Sequence, residues 1–475
     1  MSSPHSRRKG AGTTAALAAI LLVLAGAAAV VHAQKGAQGS AASPASAPGQ
    51  GRDGPQPMVT ATPYPPSLAG AQALVAPAAD GAVARGAYLA RLGDCVACHT
   101  TPGGQPFAGG LPMESPIGTI YSSNITPDEA TGIGGYSFED FDRAVRHGVA
   151  RGKGSLYPAM PYPSYARVSE QDMKDLFAYF QSVPAVRTQV PDNGIPWPLS
   201  MRWPLSVWRS LFAPDPAKVQ VAKSSALDEP RLRGAYLVEG LGHCGTCHTP
   251  RAFTMQEKGL TAADPRFLSG GAALDGWVAK SLRSEGQDGL VRWSAQDLVD
   301  LLRTGRNSHS AVFGGMADVV THSTQYMSNA DLHAIATYLK ALEPKPGAVL
   351  PAHTYDATVA NALWRGDDRQ RGAAIYVDSC AACHRTDGRG YQQVFPALAG
   401  NSAVLSRDPH NLITIILKGH QVPATSSRPS TFTMPAFGWR LTDAQVADVA
   451  TFVRSSWGNQ AGAVEAGQVA RLRKD

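Results

Sequence analysis

The sequence predicts an all-α fold made of three tandem copies of one small helical domain, joined by long loops and Pro-rich linkers. A five-residue motif, C-x-x-C-H, occurs at Cys95–His99, Cys244–His248 and Cys380–His384. Each copy follows an Arg-Gly pair that opens a helical pattern, and a capped amphipathic helix closes each unit. Stretches with the alternation typical of β-strands are sparse, so helices are expected to carry the fold.

The C-x-x-C-H motif is the attachment signature of a c-type haem. Its two thiols add to the vinyl groups of the porphyrin, and the adjacent imidazole binds the iron from the proximal side. Zinc knuckles and dithiol redox pairs share the C-x-x-C spacing, but here no cysteine is left outside a motif. The sequence therefore predicts three covalently bound haem c groups. The predicted attachment residues are Cys95, Cys98, Cys244, Cys247, Cys380 and Cys383, and the proximal ligands are His99, His248 and His384.

Helical signals define the repeated unit. The upstream copies are Arg85-Gly86-Ala87-Tyr88, Arg233-Gly234-Ala235-Tyr236 and Arg371-Gly372-Ala373-Ala374. The downstream helices are predicted at Ser169–Phe180, Ser328–Leu342 and Thr442–Ser455. Each is expected to open with a reciprocal capping box, pairing Ser169 with Asp172, Ser328 with Asp331 and Thr442 with Gln445. The first cysteines are 149 and 136 residues apart, which indicates a repeated domain and not a solenoid.

The predicted segments follow in order along the chain. They are an export signal at 1–33, a disordered Ala/Gly/Ser/Pro-rich tether at 34–79, haem domains at 80–185, 227–343 and 365–460, a Pro/Trp-rich linker at 186–226, a second linker at 344–364 and a polar tail at 461–475. The signal combines Arg7-Arg8-Lys9, an apolar run from Ala15 to Val31, and small residues before Gln34. An uncleaved anchor is the alternative for that segment. Trp197, Trp203 and Trp208 suggest that the first linker packs across two domains or against a partner.

The charge balance argues against a nucleic-acid partner. The chain has 43 Lys and Arg against 37 Asp and Glu, a net charge of +6. Three of the cations lie in the first 33 residues, which hold no acid, so the remainder carries +3. No basic run with interleaved aromatic residues occurs, and nucleic acid is therefore excluded as the expected ligand.

Methionines near the downstream caps are the predicted sixth ligands of the irons. A thioether opposite the histidine closes the iron and raises its reduction potential. Met434 and Met160 lie eight and nine residues before their caps, and Met316 lies twelve residues before Ser328. Met113, Met173 and Met327 are less suitable by position. Rival axial ligands are His147, His309, His322 and His420, whereas His243 is expected to face solvent.

Several segments make the chain resemble a known family, the triheme cytochrome c subunits of bacterial membrane-bound dehydrogenases. They are residues 121–128, 156–165, 316–326 and 395–401, and the resemblance extends from Asp80 to Trp457. Such subunits accompany quinoprotein alcohol dehydrogenases, flavin-dependent sugar or sugar-acid dehydrogenases and molybdenum aldehyde dehydrogenases. The resemblance implies that electrons from a catalytic subunit with PQQ, FAD or molybdenum pass from haem to haem to ubiquinone.

The expected function is therefore electron transfer on the periplasmic side of the inner membrane, with no substrate-oxidising site in this chain. Hydrolytic triads, phosphate loops and dinucleotide fingerprints are missing from the sequence. Two alternatives remain open. A diffusible periplasmic shuttle would need no dedicated dehydrogenase, and a multihaem peroxidase would need one iron with a displaceable ligand.

Overall fold

The structure is a computed structural model that describes residues 81–219, 229–284, 289–344 and 353–474. The predicted export signal at 1–33 and tether at 34–79 lie outside this part of the chain. Within it the protein is mostly helical, with four pairs of two-residue antiparallel strands. The all-α prediction is thus confirmed in its coarse form, while the division into three haem domains stays a prediction. No helix among the described residues is long and apolar enough to cross a membrane.

The elements follow the chain in three groups. From 81 to 219 they are α1 (Ala82–Leu92), α2 (Cys95–Cys98), β1 (Pro112–Met113), β2 (Ile120–Tyr121), α3 (Phe138–Val145), β3 (Val149–Ala150), β4 (Gly154–Ser155), α4 (Tyr162–Tyr165), α5 (Glu170–Ser182) and α6 (Trp203–Phe212). From 229 to 344 they are α7 (Pro230–Ala235) with a π-helical turn (Tyr236–Leu241), α8 (Gly245–His248), β5 (Ala273–Leu274), β6 (Trp277–Val278), α9 (Ala295–Thr304), α10 (Gly315–His322), a 3-10 turn (Thr324–Tyr326) and α11 (Asn329–Lys340). From 353 to 474 they are α12 (Thr358–Trp364), α13 (Ala373–Ser379), α14 (Ala381–His384), α15 (Ser402–Leu405), α16 (His410–Lys418), β7 (His420–Gln421), β8 (Thr433–Met434), α17 (Asp443–Ser455) and α18 (Ala466–Lys474). Each strand pairs with the next one along the chain.

One helix crossing occurs three times, and the glycine of the Arg-Gly pair lies at its centre. Helix α1 packs on α5, α7 on α11 and α13 on α17. A Cβ atom on Gly86 would lie 1.9 Å from the carbonyl oxygen of Asp175. The corresponding distance is 2.1 Å for Gly234 and 2.4 Å for Gly372. Because no side chain fits at these distances, the glycines let the two helix backbones approach closely.

The three predicted capping boxes form differently. At the start of α17 the box is complete, because Thr442 and Gln445 each accept a backbone N–H of the other. At Ser169 and Ser328 only the first half forms, with each hydroxyl accepting the backbone N–H three residues later at 3.1 Å. The prediction of a reciprocal box is therefore wrong at these two caps.

A tyrosine from the other unit replaces the missing half of the box at Ser169. The backbone N–H of Ser169 donates to the Tyr236 hydroxyl at 3.1 Å, and that hydroxyl donates in turn to the Asp172 carboxylate. The carboxylate that was expected to accept the N–H of its own cap thus serves a side chain 64 residues away.

The same arrangement occurs in the opposite direction at Ser328. Its N–H donates to the Tyr88 hydroxyl at 2.9 Å, and Tyr88 donates to Asp331 at 2.6 Å. The first two units therefore exchange equivalent tyrosines across a pseudo-symmetric contact. The third copy has Ala374 at this position, and its capping box closes on itself.

The apolar cores also join the first two units and separate them from the third. One apolar core extends from Leu89 to Leu342 and contains side chains of both the first and second units. A second core extends from Leu363 to Val469. Polar contacts join the two bodies, among them the Asn411 side-chain amide, which bonds both the N–H and the C=O of Val278 at 2.9 and 2.8 Å.

The first linker and the predicted polar tail are both partly helical. Trp208 of α6 donates its indole N–H to the carbonyl of Thr254 at 2.7 Å, so the linker packs against the second unit. Trp197 and Trp203 remain exposed. In the tail, α18 docks through the buried Val469, and Arg473 pairs with Asp443 at 2.6 Å.

Candidate haem-binding sites

A short helix contains four of the five residues of each C-x-x-C-H motif, and a cap position holds the fifth, which is His99, Cys244 or Cys380. The motif helices are α2, α8 and α14. Residues i and i+3 of a helical turn share one face, so the Cys95 and Cys98 thiols on α2 point to the same side. This arrangement suits thiols that must reach two substituents of one flat ring.

The three motif histidines are held in one tautomer by backbone carbonyls. The Nδ1 atom of His99 lies 2.7 Å from the carbonyl oxygen of Ser123. His248 contacts Lys280 in the same way at 2.6 Å, and His384 contacts Pro396 at 2.9 Å. A carbonyl can only accept, so Nδ1 carries the proton and Nε2 keeps its lone pair for a metal. Burial lowers the pKa of all three imidazoles, which keeps them neutral.

The environment of the thiols differs from that of a redox dithiol. Burial raises the pKa of Cys95, Cys244 and Cys380 to about 12. Reactive dithiols depend on a lowered thiol pKa. Within the described ranges no three His, Cys, Asp or Glu side chains converge as a metal-ion site would require. The donor set of each motif therefore fits a covalently attached haem, held by two thioether links and one imidazole.

The first and second motifs are close neighbours. A Cβ atom on Gly93, two residues before Cys95, would lie 3.3 Å from the side chain of Leu241, three residues before Cys244. The Tyr165 hydroxyl donates to the Gly93 carbonyl at 3.2 Å, and its ring centre lies 5.5 Å from that of His243. These contacts place the start of one motif against the start of the other.

The position of His243 differs from the prediction that this residue faces solvent. It is half-buried against Tyr165 and does not face solvent, and burial lowers its pKa to about 4. The reason is the core shared by the first two units, which covers the residue before Cys244.

Two of the three candidate methionines pack on the core that holds their motif. Met160 is partly buried against the same core as Cys95, and Met434 packs on the core that includes Cys380. Met316 belongs to a separate small cluster with Val312, Ala317 and Val320. Its helix, α10, lies against α2 of the first motif. The pairing of Met316 with His248 therefore rests on position in the repeat, and all three methionine ligands stay predictions.

Two of the rival histidines have other partners. His309 lies 3.3 Å from Asp297 and stacks on Trp293 with ring centres 5.8 Å apart. His147 lies 3.8 Å from Asp142. His420 faces Met434 across the β7–β8 pair, and burial lowers its pKa to about 4. His322 lies on α10, and burial lowers its pKa as well.

Sequence reasoning missed the carbonyls that orient the histidines. Ser123 and Pro396 lie inside two of the segments that carry the family resemblance, so a signal was present there. Lys280 follows the second motif by 32 residues in a loop without any such signal. Backbone acceptors cannot be identified from residue type, because every residue has a carbonyl.

Glu257 is a buried acid beside the second motif. The Thr246 hydroxyl donates to its Oε1 at 3.4 Å, while Oε2 is buried and has no hydrogen-bond partner among the described residues. It lines a narrow cleft together with Trp208, Phe212 and Arg251. Burial raises the pKa of Glu257 to about 7.

We expect the Glu257→Gln variant to remove a pH dependence of stability. An acid with a raised folded-state pKa binds more protons in the folded state, so stability falls as pH rises from the ordinary value of 4.5 to about 7. The raised pKa corresponds to a loss of about 3 kcal/mol across this window. Urea unfolding at pH 4.5 and 8 should show that the variant gains stability relative to wild type only at the higher pH. An equal difference at both pH values would contradict the assignment.

The sequence profile of the cytochrome c family matches residues 83–184 and 369–457. The chain is 58% identical over 402 residues to the gluconate 2-dehydrogenase cytochrome c subunit of Pantoea cypripedii, covering 83% of this chain and 90% of that protein. It is 52% identical over 411 residues to the alcohol dehydrogenase (quinone) cytochrome c subunit of Komagataeibacter europaeus, covering 86% and 87%. It is 38% identical over 411 residues to the fructose dehydrogenase cytochrome subunit of Gluconobacter japonicus, covering 82% of each.

Proposed function

The chain belongs to the cytochrome c family, as one of its dehydrogenase cytochrome c subunits, and from that membership we propose that it carries electrons from a dehydrogenase partner to ubiquinone. The chain would carry three haem c groups, at Cys95–His99, Cys244–His248 and Cys380–His384. The protein would act on the periplasmic side of the inner membrane, in accord with the export signal expected at 1–33.

When bound, haem c supplies a one-electron carrier at each motif. The residues of the chain hold and orient it. Two cysteines per motif would form the thioether links, and His99, His248 and His384 would bind iron through Nε2. Met160, Met316 and Met434 are the proposed opposite ligands, which would leave no open position for substrate.

The observation that carries the proposal is the close packing of the first two motifs. The tyrosine exchange between the two units and their common core keep the motifs in a constant relative position. Electron transfer needs neighbouring carriers at a short and constant separation, whereas a site for substrate chemistry needs open space at one iron. Hydrogen bonds from Asn411 to Val278 attach the third unit to the second.

The partner is proposed to be a catalytic dehydrogenase subunit with PQQ, FAD or molybdenum. The relatives at 58% and 52% identity are named as subunits of gluconate 2-dehydrogenase and of alcohol dehydrogenase (quinone). A sugar acid or an alcohol is therefore the substrate class to test first.

Reconstitution tests this function. The purified cytochrome should oxidise no alcohol, sugar acid or aldehyde by itself. Added to its catalytic dehydrogenase subunit, it should confer ubiquinone reduction that the catalytic subunit lacks alone.

The controls are each protein assayed alone and the mixture without substrate. Turnover of substrate by the cytochrome alone would favour an enzyme of the peroxidase type or another catalytic role. Ubiquinone reduction that is equal with and without the cytochrome would refute the proposal.

A further inference from the structure

Helix α6 is an apolar helix that buries none of its residues. Seven of the ten residues in Trp203–Phe212 are apolar, and none is buried. The ring of Trp208 packs beside Tyr162, with ring centres 6.2 Å apart, so this side of the helix faces the protein. Trp203 and Leu211 are 55% and 61% exposed. No described part of the chain buries either of these two side chains.

A hairpin after the second motif is bonded to α6 and also exposes apolar side chains. Residues Arg251 and Glu257 pair across its base. Phe253 and Met255, near its tip, are 74% and 40% exposed. The hairpin is attached to α6 by the bond from Trp208 to the Thr254 carbonyl, between these two side chains. Trp203, Leu211, Phe253 and Met255 are called the apolar patch below.

The apolar patch is connected directly to the second motif. The guanidinium of Arg251 donates to the Met255 carbonyl at 2.7 Å and to the Thr246 carbonyl at 2.8 Å. Thr246 lies between the two cysteines of the second motif. Whatever covers the patch therefore comes close to that motif.

The charges around the apolar patch are mostly positive. Helix α6 contains no acidic residue. The raised pKa of Glu257 also leaves that acid partly neutral near pH 7. In residues 202–219 and 251–258 the basic residues are Arg202, Arg209, Lys218, Arg251 and Lys258, and the acidic residues are Asp215 and Glu257.

We propose that the apolar patch docks the protein on the surface of a bilayer that contains anionic lipid, with the second motif facing that surface. Exposed Trp, Leu and Phe beside cations form the surface typical of interfacial membrane segments. Anionic headgroups attract such cations by about 1 kcal/mol each. The inference rests on the proposed function, because ubiquinone is dissolved in lipid and must be met at the bilayer. That requirement favours lipid over a protein as the cover of the apolar patch.

Vesicle sedimentation of the complete complex with its catalytic subunit tests the docking. With vesicles containing phosphatidylglycerol, the Trp203→Ser and Phe253→Ser variants should each bind about tenfold more weakly than wild type. Both side chains are exposed, so the variants should fold normally. The matched control is Trp364→Ser, which removes a tryptophan that is 83% exposed on α12 and should leave binding unchanged. Wild-type binding should also weaken with phosphatidylcholine vesicles and at high salt.

Two results would overturn the docking. One is unchanged vesicle binding in both patch variants. The other is loss of the catalytic subunit from the purified variants with vesicle binding intact, which would make the apolar patch a protein interface. Reduction of a water-soluble short-chain ubiquinone separates this inference from the proposed function. If the wild-type complex reduces none, the proposed function fails, whereas intact reduction with unchanged vesicle binding contradicts only the docking.

Discussion

Replacing Met434 with histidine will lower one of three midpoint potentials by on the order of 0.2 V and leave the other two unchanged. A thioether stabilises ferrous iron relative to an imidazole, so exchanging one for the other shifts the equilibrium toward the ferric state. Strand β8 holds Met434 in place by pairing it with His420. A Cβ atom added to Gly419 would lie only 2.5 Å from the carbonyl oxygen of Met434. The backbone therefore has little room to withdraw the new imidazole. Redox titration monitored by absorbance measures the effect.

The matched control is Met113→His, at a position too close in sequence to His99 to reach the opposite side of the ring. It should leave every potential unchanged. Mass spectrometry should find three haem masses on the wild type and on both variants, which separates loss of a ligand from loss of a haem. Three unchanged potentials in Met434→His would show that Met434 is not an axial ligand. A mass corresponding to two haems would contradict the triheme prediction itself.

Replacing Gly86 with alanine should destabilise the protein by about 3 kcal/mol, because the crossing of α1 and α5 has no room for a methyl group. The new Cβ would lie 1.9 Å from the Asp175 carbonyl oxygen and 2.7 Å from the Cβ of Tyr179. The first of these atoms belongs to a helix backbone, so relief requires the two helices to separate. Urea unfolding followed by far-UV circular dichroism measures the loss.

The control for this prediction is Gly467→Ala on α18. That glycine is exposed, and nothing lies within 4 Å of an added Cβ. Alanine favours helix over glycine by up to about 1 kcal/mol, so this variant should be as stable as wild type or slightly more so. If Gly86→Ala unfolds at the same urea concentration as the control, the close helix approach is not required by the fold.

Local chemistry made several parts of the molecule predictable from sequence. The motifs identify the cofactor, because two thiols and an imidazole at this spacing suit one porphyrin. The cap residues Ser169, Ser328 and Thr442 begin helices as expected, since a hydroxyl bonding a nearby backbone N–H involves only four consecutive residues. The repetition of the Arg-Gly pair indicated a structural role. That this role is the close crossing of two helices became clear only from the three-dimensional structure.

Long-range contacts were decided by the tertiary structure. The second half of the Ser169 and Ser328 capping boxes depends on Tyr236 and Tyr88, and Tyr88 lies 240 residues from Ser328. The sequence already contained the difference between these tyrosines and Ala374. It became meaningful only once the first two units were seen to share a core.

By itself the sequence determined the cofactor chemistry, the helical class and the family, because each depends on residues that are neighbours in the chain or on overall similarity. Only the tertiary structure decided which carbonyl orients each histidine, why His243 is covered, and that α10 with Met316 lies against the first motif. A hydrogen bond or a packing contact depends on the separation of two atoms in space. Residues far apart in the chain acquire that separation only when the whole fold positions their helices.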